Sequence, residues 1–231
     1  MSDGNLKREI LHILQEKTPA ALLGLDASER KMITILVRMA YDKETLVGWR
    51  AIKSIGLVAS EMVRRDPEFL RETCRKLLWS FTDESGGIGW SAPEMLGEIV
   101  SSDPKRFQDV IPLIAAAYEV DEDVFRAGVL YALSRVAEHA PELAAPYQKI
   151  VVLSLADRDP LVKVRGIGLI RLLWPWVKSN GIWSREYCER VISSLGKLNS
   201  DRGEAWVYQG CDFVSLQVGE EALKALKVIN Q

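Results

Sequence analysis

The sequence predicts an all-α fold, a solenoid of about five helix pairs closed by an irregular C-terminal cap. The first observation is a recurring corner. Asp42 precedes Arg50-Ala51 by eight positions and Asp157 precedes Arg165-Gly166 by eight; between them stand Asp83 before Ser91-Ala92 and an acidic run before Arg126-Ala127. Positions 50, 91, 126 and 165 are separated by 41, 35 and 39 residues, a period typical of helical repeats. The second observation is punctuation, because Pro and Gly fall where each helix would have to stop.

The elements follow in order. Ser28 can cap a helix carrying Met32, Ile35, Leu36 and Met39 on one face; Asp42 to Val47 is a turn, and Trp49 to Arg65 its partner helix, ended by Asp66-Pro67. Glu68 opens the next helix, with Phe69, Leu70, Cys74, Leu77, Leu78 and Phe81 on one side, followed by a break from Asp83 to Gly89 and a helix from Ser91 to Ser101. Helices over Phe107 to Tyr118 and Asp123 to His139 come next, then Leu143 to Leu155 and Leu161 to Val177. The repeats are thus expected near 28–66, 68–103, 105–140 and 143–180, with an atypical unit over 184–231, all within one domain spanning 1–231.

That last unit starts as a helix from Ser184 to Leu198. The stretch Gly203 to Leu216 then holds two glycines and the β-prone Trp206, Val207, Tyr208, Phe213 and Val214, which reads as an irregular or hairpin insert before a helix from Val218 to Ile229. A solenoid must cover its open end, so an atypical terminal unit is expected.

Composition narrows the function. A chain of 231 residues that is 48% apolar can bury a sizeable core. With 30 Lys plus Arg against 32 Asp plus Glu, no overall charge draws it to nucleic acid or to an anionic membrane. The longest apolar run, Ile150 to Ala156, is far short of the roughly 20 residues that cross a bilayer. Cys74, Cys188 and Cys211 are scattered, and His12 and His139 are the only histidines, so neither a disulfide framework nor a metal site is expected, and no cofactor. The start, Met1 to Asn5, lacks the basic and apolar regions of a secretory signal, and a cytoplasmic setting is expected.

The Asp-to-Arg corner, followed by Ala51, Ala127 or Gly166 and then Leu or Ile at helical steps, resembles the HEAT-like repeat, including its phycobilisome-lyase type. The resemblance runs from about residue 28 to 180. It implies an α-solenoid with first helices on the convex face and second helices on the concave one. Asp83 to Glu94, which contains Gly-Gly-Ile-Gly-Trp-Ser-Ala-Pro-Glu, also resembles the signature of a small group of bacterial HEAT-like proteins.

The candidate site is where the corner breaks its own rule. Ser91 stands where the other corners carry Arg, so Asp83 and Glu84 lose their cation; Gly86, Gly87 and Gly89 free the preceding loop; Trp90 adjoins a helix start; and Glu94 follows one turn later. The opposing expectation is that the turn merely packs Trp90 between repeats. Arg50, Lys53, Arg126 and Arg165 are candidate concave cations, although an Asp–Arg ladder fixing the angle between repeats is the favoured reading of Arg50 and Arg165 with Asp42 and Asp157. Trp174, Trp176 and Trp183 should seal the fourth repeat against the cap rather than form an open patch.

Three functions fit. The first is a non-catalytic interaction module or scaffold that holds a protein or peptide on its concave face. The second rests on similarity to HEAT-like alkylpurine DNA glycosylases, in which concave tryptophans act with a carboxylate; here the match is Trp90 with Glu94, and the even charge balance does not favour nucleic acid. The third, implied by the lyase-type repeat, is a maturation factor for a cofactor-bearing protein, which would need a reactive thiol at Cys74, Cys188 or Cys211.

Overall fold

The computed structural model describes residues 3–16, 18–81, 90–119 and 123–230. It is an α-solenoid. Helix α1 (Asp3–Gln15) and a 3-10 turn (Pro19–Gly24) lead into α2 (Glu29–Met39) and α3 (Leu46–Met62). Next come α4 (Pro67–Trp79) and α5 (Ala92–Ser101), α6 (Ile111–Ala116) and α7 (Arg126–Ala137), then the short α8 (Pro141–Ala144) and α9 (Gln148–Leu155) before α10 (Pro160–Asn180). The C-terminal unit is α11 (Arg185–Leu198), a hairpin of β1 (Glu204–Gln209) and β2 (Asp212–Gln217), and α12 (Val218–Ile229).

The second helices form the inner layer. Helices α3, α5, α7, α10 and α12 pack in that succession, and every residue of α5 is buried. Several helix starts are fixed by local chemistry: the Thr45 hydroxyl accepts the Gly48 N–H at α3, Asp66 that of Phe69 at α4, Asp159 that of Leu161 at α10 and Ser184 that of Tyr187 at α11.

Two expected helices come out shorter, for one physical reason. Proline has no N–H to give and its ring collides with the carbonyl four residues back. Pro112 therefore holds the start of α6 to Ile111, with turns in place of the helix expected from Phe107, while the far end passes into a 3-10 turn over Ala117–Glu119. Pro146 splits the helix expected over Leu143 to Leu155 into α8, a 3-10 turn and α9. At the other extreme α10 runs through Pro175 and past Val177 to Asn180.

Trp174 and Trp183 are buried edge to face, 6.2 Å between centroids, and the Trp183 Nε1–H donates to the Ala145 carbonyl at 3.0 Å. This aromatic cluster joins α10 to the capping unit. In the hairpin, Tyr208 pairs with Phe213 and Gln209 with Asp212, leaving Gly210-Cys211 as a two-residue turn. Both turn residues have positive φ, 60° and 71°, the mirror-image geometry that matches strand twist. Gly210 adopts it freely, whereas Cys211 does so against the clash of its Cβ.

The hairpin lies against the inner layer rather than extending the stack. Its strands contact α10, and Tyr208 reaches Trp49 at the start of α3. The concave face is thus partly filled by the chain itself.

Candidate concave-face pocket

A cavity of about 380 Å³ remains between the hairpin and the inner helices. Trp49 of α3, Glu94 of α5, Ala127 of α7, and Leu161 and Arg165 of α10 line the helical side; Trp206 and Phe213 line the hairpin side, and Lys43 and Glu44 the end. Its size lies at the low end of small-ligand sites, roughly 300–1,000 Å³.

The floor is built by packing. Helix α7 carries Gly128 opposite Glu94, and a Cβ there would fall 2.6 Å from Oε2 and 2.9 Å from Oε1 of the carboxylate. Only a residue without a side chain lets Glu94 lie this close to α7. Lys43 supplies the counter-charge, its Nζ 3.2 Å from Glu94 Oε1 and donating also to the Trp90 carbonyl at 2.6 Å. Glu94 Oε2 has no hydrogen-bond partner among the described residues.

One turn further along α5 the device is repeated. Glu98 rests over Gly56 of α3, where a Cβ would fall 2.1 Å from its Oε2. Its Oε1 takes Lys53 Nζ at 2.7 Å and Arg135 Nε at 3.0 Å, and accepts the Tyr131 hydroxyl. Burial pushes the Tyr131 hydroxyl pKa well up, and the Glu98 charge adds to it. Glu98 braces α3, α5 and α7 together.

Arg165 stands differently from the other cations. Its guanidinium lies 5.4 Å from the Trp49 ring centroid and 4.9 Å from that of Tyr131. It makes no hydrogen bond or ion pair with any described residue. Burial lowers its pKa, while Tyr131 and Glu94 pull it back up. A guanidinium starts so far above neutrality that it stays charged.

The sequence-predicted residues are distributed as follows. Asp83, Glu84, Gly86, Gly87 and Gly89 lie outside the described residues. Trp90 is 57% exposed and its ring does not line the cavity that Glu94 lines. The Trp90 side chain is therefore not packed between repeats, and it is not paired with the Glu94 carboxylate either. Ser91 is fully buried, its hydroxyl donating to the Ala40 carbonyl at 2.7 Å.

The cations part company in the same way. Arg50 is 3% exposed and donates to the carbonyls of Leu14, Gln15 and Cys211. It binds the end of α1 to the hairpin tip and offers nothing to a partner. Lys53 serves Glu98. Arg126 pairs with Asp123 of its own repeat at 2.7 Å and with Asp157 of the next at 3.2 Å, the second pair being a ladder rung between repeats. Asp42 makes no pair with Arg50; its carboxylate takes the Glu44 N–H at 3.2 Å.

A wider cleft, about 680 Å³, lies around Tyr118, Arg126, Lys149 and Arg158. Its cations are already matched, Lys149 with Glu119, and Arg126 and Arg158 with Asp123. No group of three or more potential metal ligands occurs among the described residues, and none of the described helices is long and apolar enough to cross a membrane. Burial pushes the Cys74 thiol up to about 12, which keeps it protonated at neutral pH.

Solved structures share the fold. The chain superposes on an engineered protein with a TM-score of 0.57 at 16% identity, covering 96% of this chain and 90% of that one. Computationally designed armadillo repeat proteins for modular peptide recognition match with a TM-score of 0.54 at 16% identity, covering 97% and 92%. Another designed armadillo repeat protein gives 0.51 at 16% identity, covering 96% and 99%. At such identities the likeness is one of fold: a helical repeat of armadillo or HEAT type. No family model and no curated protein sequence matches the chain.

The hairpin wall of the pocket is what sequence reasoning missed. Trp206 and Phe213 stood in the β-prone stretch, and that stretch was assigned only to covering the solenoid end. Trp206 and Tyr208 share one face of β1, turned to the pocket and to Trp49, and Ala205 and Val207 share the other, so both faces of the strand are used.

Proposed function

We propose that the chain is a non-catalytic recognition module, a single HEAT-like unit over 1–231, which holds a protein or peptide segment on its concave face by taking one side chain into the pocket beside the hairpin. The observation that carries this is the cavity itself: about 380 Å³, walled by packed helices, with Trp206 exposed at its edge. Aromatic anchors of this kind commonly carry an interface. The likeness to repeat proteins designed for peptide recognition supports the reading. A cytoplasmic setting goes with it, since three unpaired thiols suit a reducing compartment.

The test is a selection from a displayed random-peptide library, counter-screened with Ala127→Phe, which fills the cavity from the α7 side. Selected peptides should bind the wild type and lose at least tenfold in affinity to the filled variant, with its melting temperature preserved. Peptides that bind both proteins alike, or no enrichment over an unrelated helical protein, would sink the reading.

A further inference from the structure

The pocket holds a cation without a hydrogen-bond acceptor among the described residues. Of the ionised groups around it, Lys43 and Glu94 neutralise one another, and the Lys43 ammonium is further held by the Trp90 carbonyl. Glu44 is exposed at the surface. Arg165 is left against the Trp49 and Tyr131 rings, with no acceptor among the described residues for its fork of N–H donors. Its nitrogens are not among the fully buried unpartnered atoms, so a group entering the cavity it lines can reach them.

Ring contacts give a guanidinium no hydrogen-bond acceptor, and its N–H edge is the part shaped to meet a carboxylate through two parallel hydrogen bonds. The remaining walls are apolar or aromatic: Trp49, Ala127, Leu161, Trp206 and Phe213. A dianion such as a phosphate monoester would leave one charge unmatched and facing Glu94.

We infer that the pocket binds a carboxylate borne on a small apolar or aromatic body, with the Arg165 guanidinium as its counter-ion. This rests on the recognition reading and names the group that enters. The same chemistry is presented by the C-terminal residue of a peptide and by a free aryl carboxylic acid. The cavity volume admits either.

Calorimetric titration of the whole chain tests the inference with three probes: the peptide Ala-Ala-Phe with a free C-terminus, the same peptide as its C-terminal amide, and phenylacetate. The free-acid peptide should bind at least about tenfold more tightly than the amide, the discrimination typical of hydrogen bonds to a charged group. Arg165→Gln should bring the acid down to the level of the amide and leave the amide unchanged. Equal binding of acid and amide, indifferent to Arg165→Gln, overturns the carboxylate inference while leaving peptide recognition standing. Binding of phenylacetate alone, abolished by Arg165→Gln, upholds the carboxylate and removes the peptide. No binding of any probe overturns the inference. If Arg165→Gln does not fold, the comparison of acid with amide on the wild type decides the matter.

Discussion

The Tyr208 ring lies flat against the Trp49 indole, 5.6 Å between centroids and 6° between planes. Trp49 also meets Tyr131 edge-on at 5.3 Å, so the contact runs from the hairpin through α3 to α7. Residues far apart in the chain share one aromatic cluster, and its Trp49 member lines the pocket. Tyr208→Ala should cost about 3 kcal/mol in urea unfolding, typical of deleting a buried aromatic. Amide exchange should quicken in 204–217 and stay slow in α5. Uniform acceleration across all helices would show that the hairpin is not a separately opening element.

Arg50 makes the second attachment. Lysine in its place keeps the charge but cannot reach the Leu14, Gln15 and Cys211 carbonyls together. Arg50→Lys should lose about 2–3 kcal/mol of stability and raise exchange at both α1 and the hairpin tip. A change confined to α1 would mean that the link to Cys211 carries no load.

Gly128 is the steric partner of Glu94. Gly128→Ala should destabilise by about 1–3 kcal/mol, since the carboxylate must give way in a packed interior. Combining it with Glu94→Ala should recover part of that loss, a non-additivity readable in a double-mutant cycle. Strict additivity would place the strain elsewhere.

Much of this was legible in the sequence. The corner motif repeats at a spacing set by two helices and a turn, and each apolar stripe is local, so Met32, Leu36, Leu70 and Leu77 announce their helices and are buried in them. The breaks at Pro112 and Pro146 were equally local and could have been read from the same rule that placed the helix ends. The pocket could not. Its walls come from positions 43 to 213, and no periodic pattern links Trp49 to a strand at the other end of the chain. Ser91 broke the corner pattern conspicuously, yet its hydroxyl serves the Ala40 carbonyl, while the pocket guanidinium without a hydrogen bond to any described residue belongs to Arg165, at a corner that kept the pattern.

Stability should fall at both ends of the pH scale. Hydrogen bonds from Arg30 and Lys163 hold the Asp66 and Asp201 carboxyls below their ordinary 3.8. Their contribution is present above that value and disappears as pH drops through the lower folded-state values, and it is modest because both pairs are solvent-screened. Cys74 acts in the opposite sense: burial raises its pKa from 9.0 to about 12, so stability is lost as pH rises above 9.0, where the unfolded thiol ionises. Urea midpoints measured across pH should decline in acid less steeply for Asp201→Asn, and in alkali less steeply for Cys74→Ala. Identical profiles for wild type and variants would remove these groups from the account.

The span from Arg50 to the Cys211 carbonyl has a consequence for how such a chain can change over time. In an open array a unit can be duplicated or deleted, because each contacts only its neighbours. Here the hairpin must return from the last unit to a fixed point on α3, across the width of everything between. An inserted helix pair would carry the tip out of reach of Arg50, and a deleted one would drive it past. The repeat is therefore no longer free in copy number: its length is gauged by its own C-terminal strand.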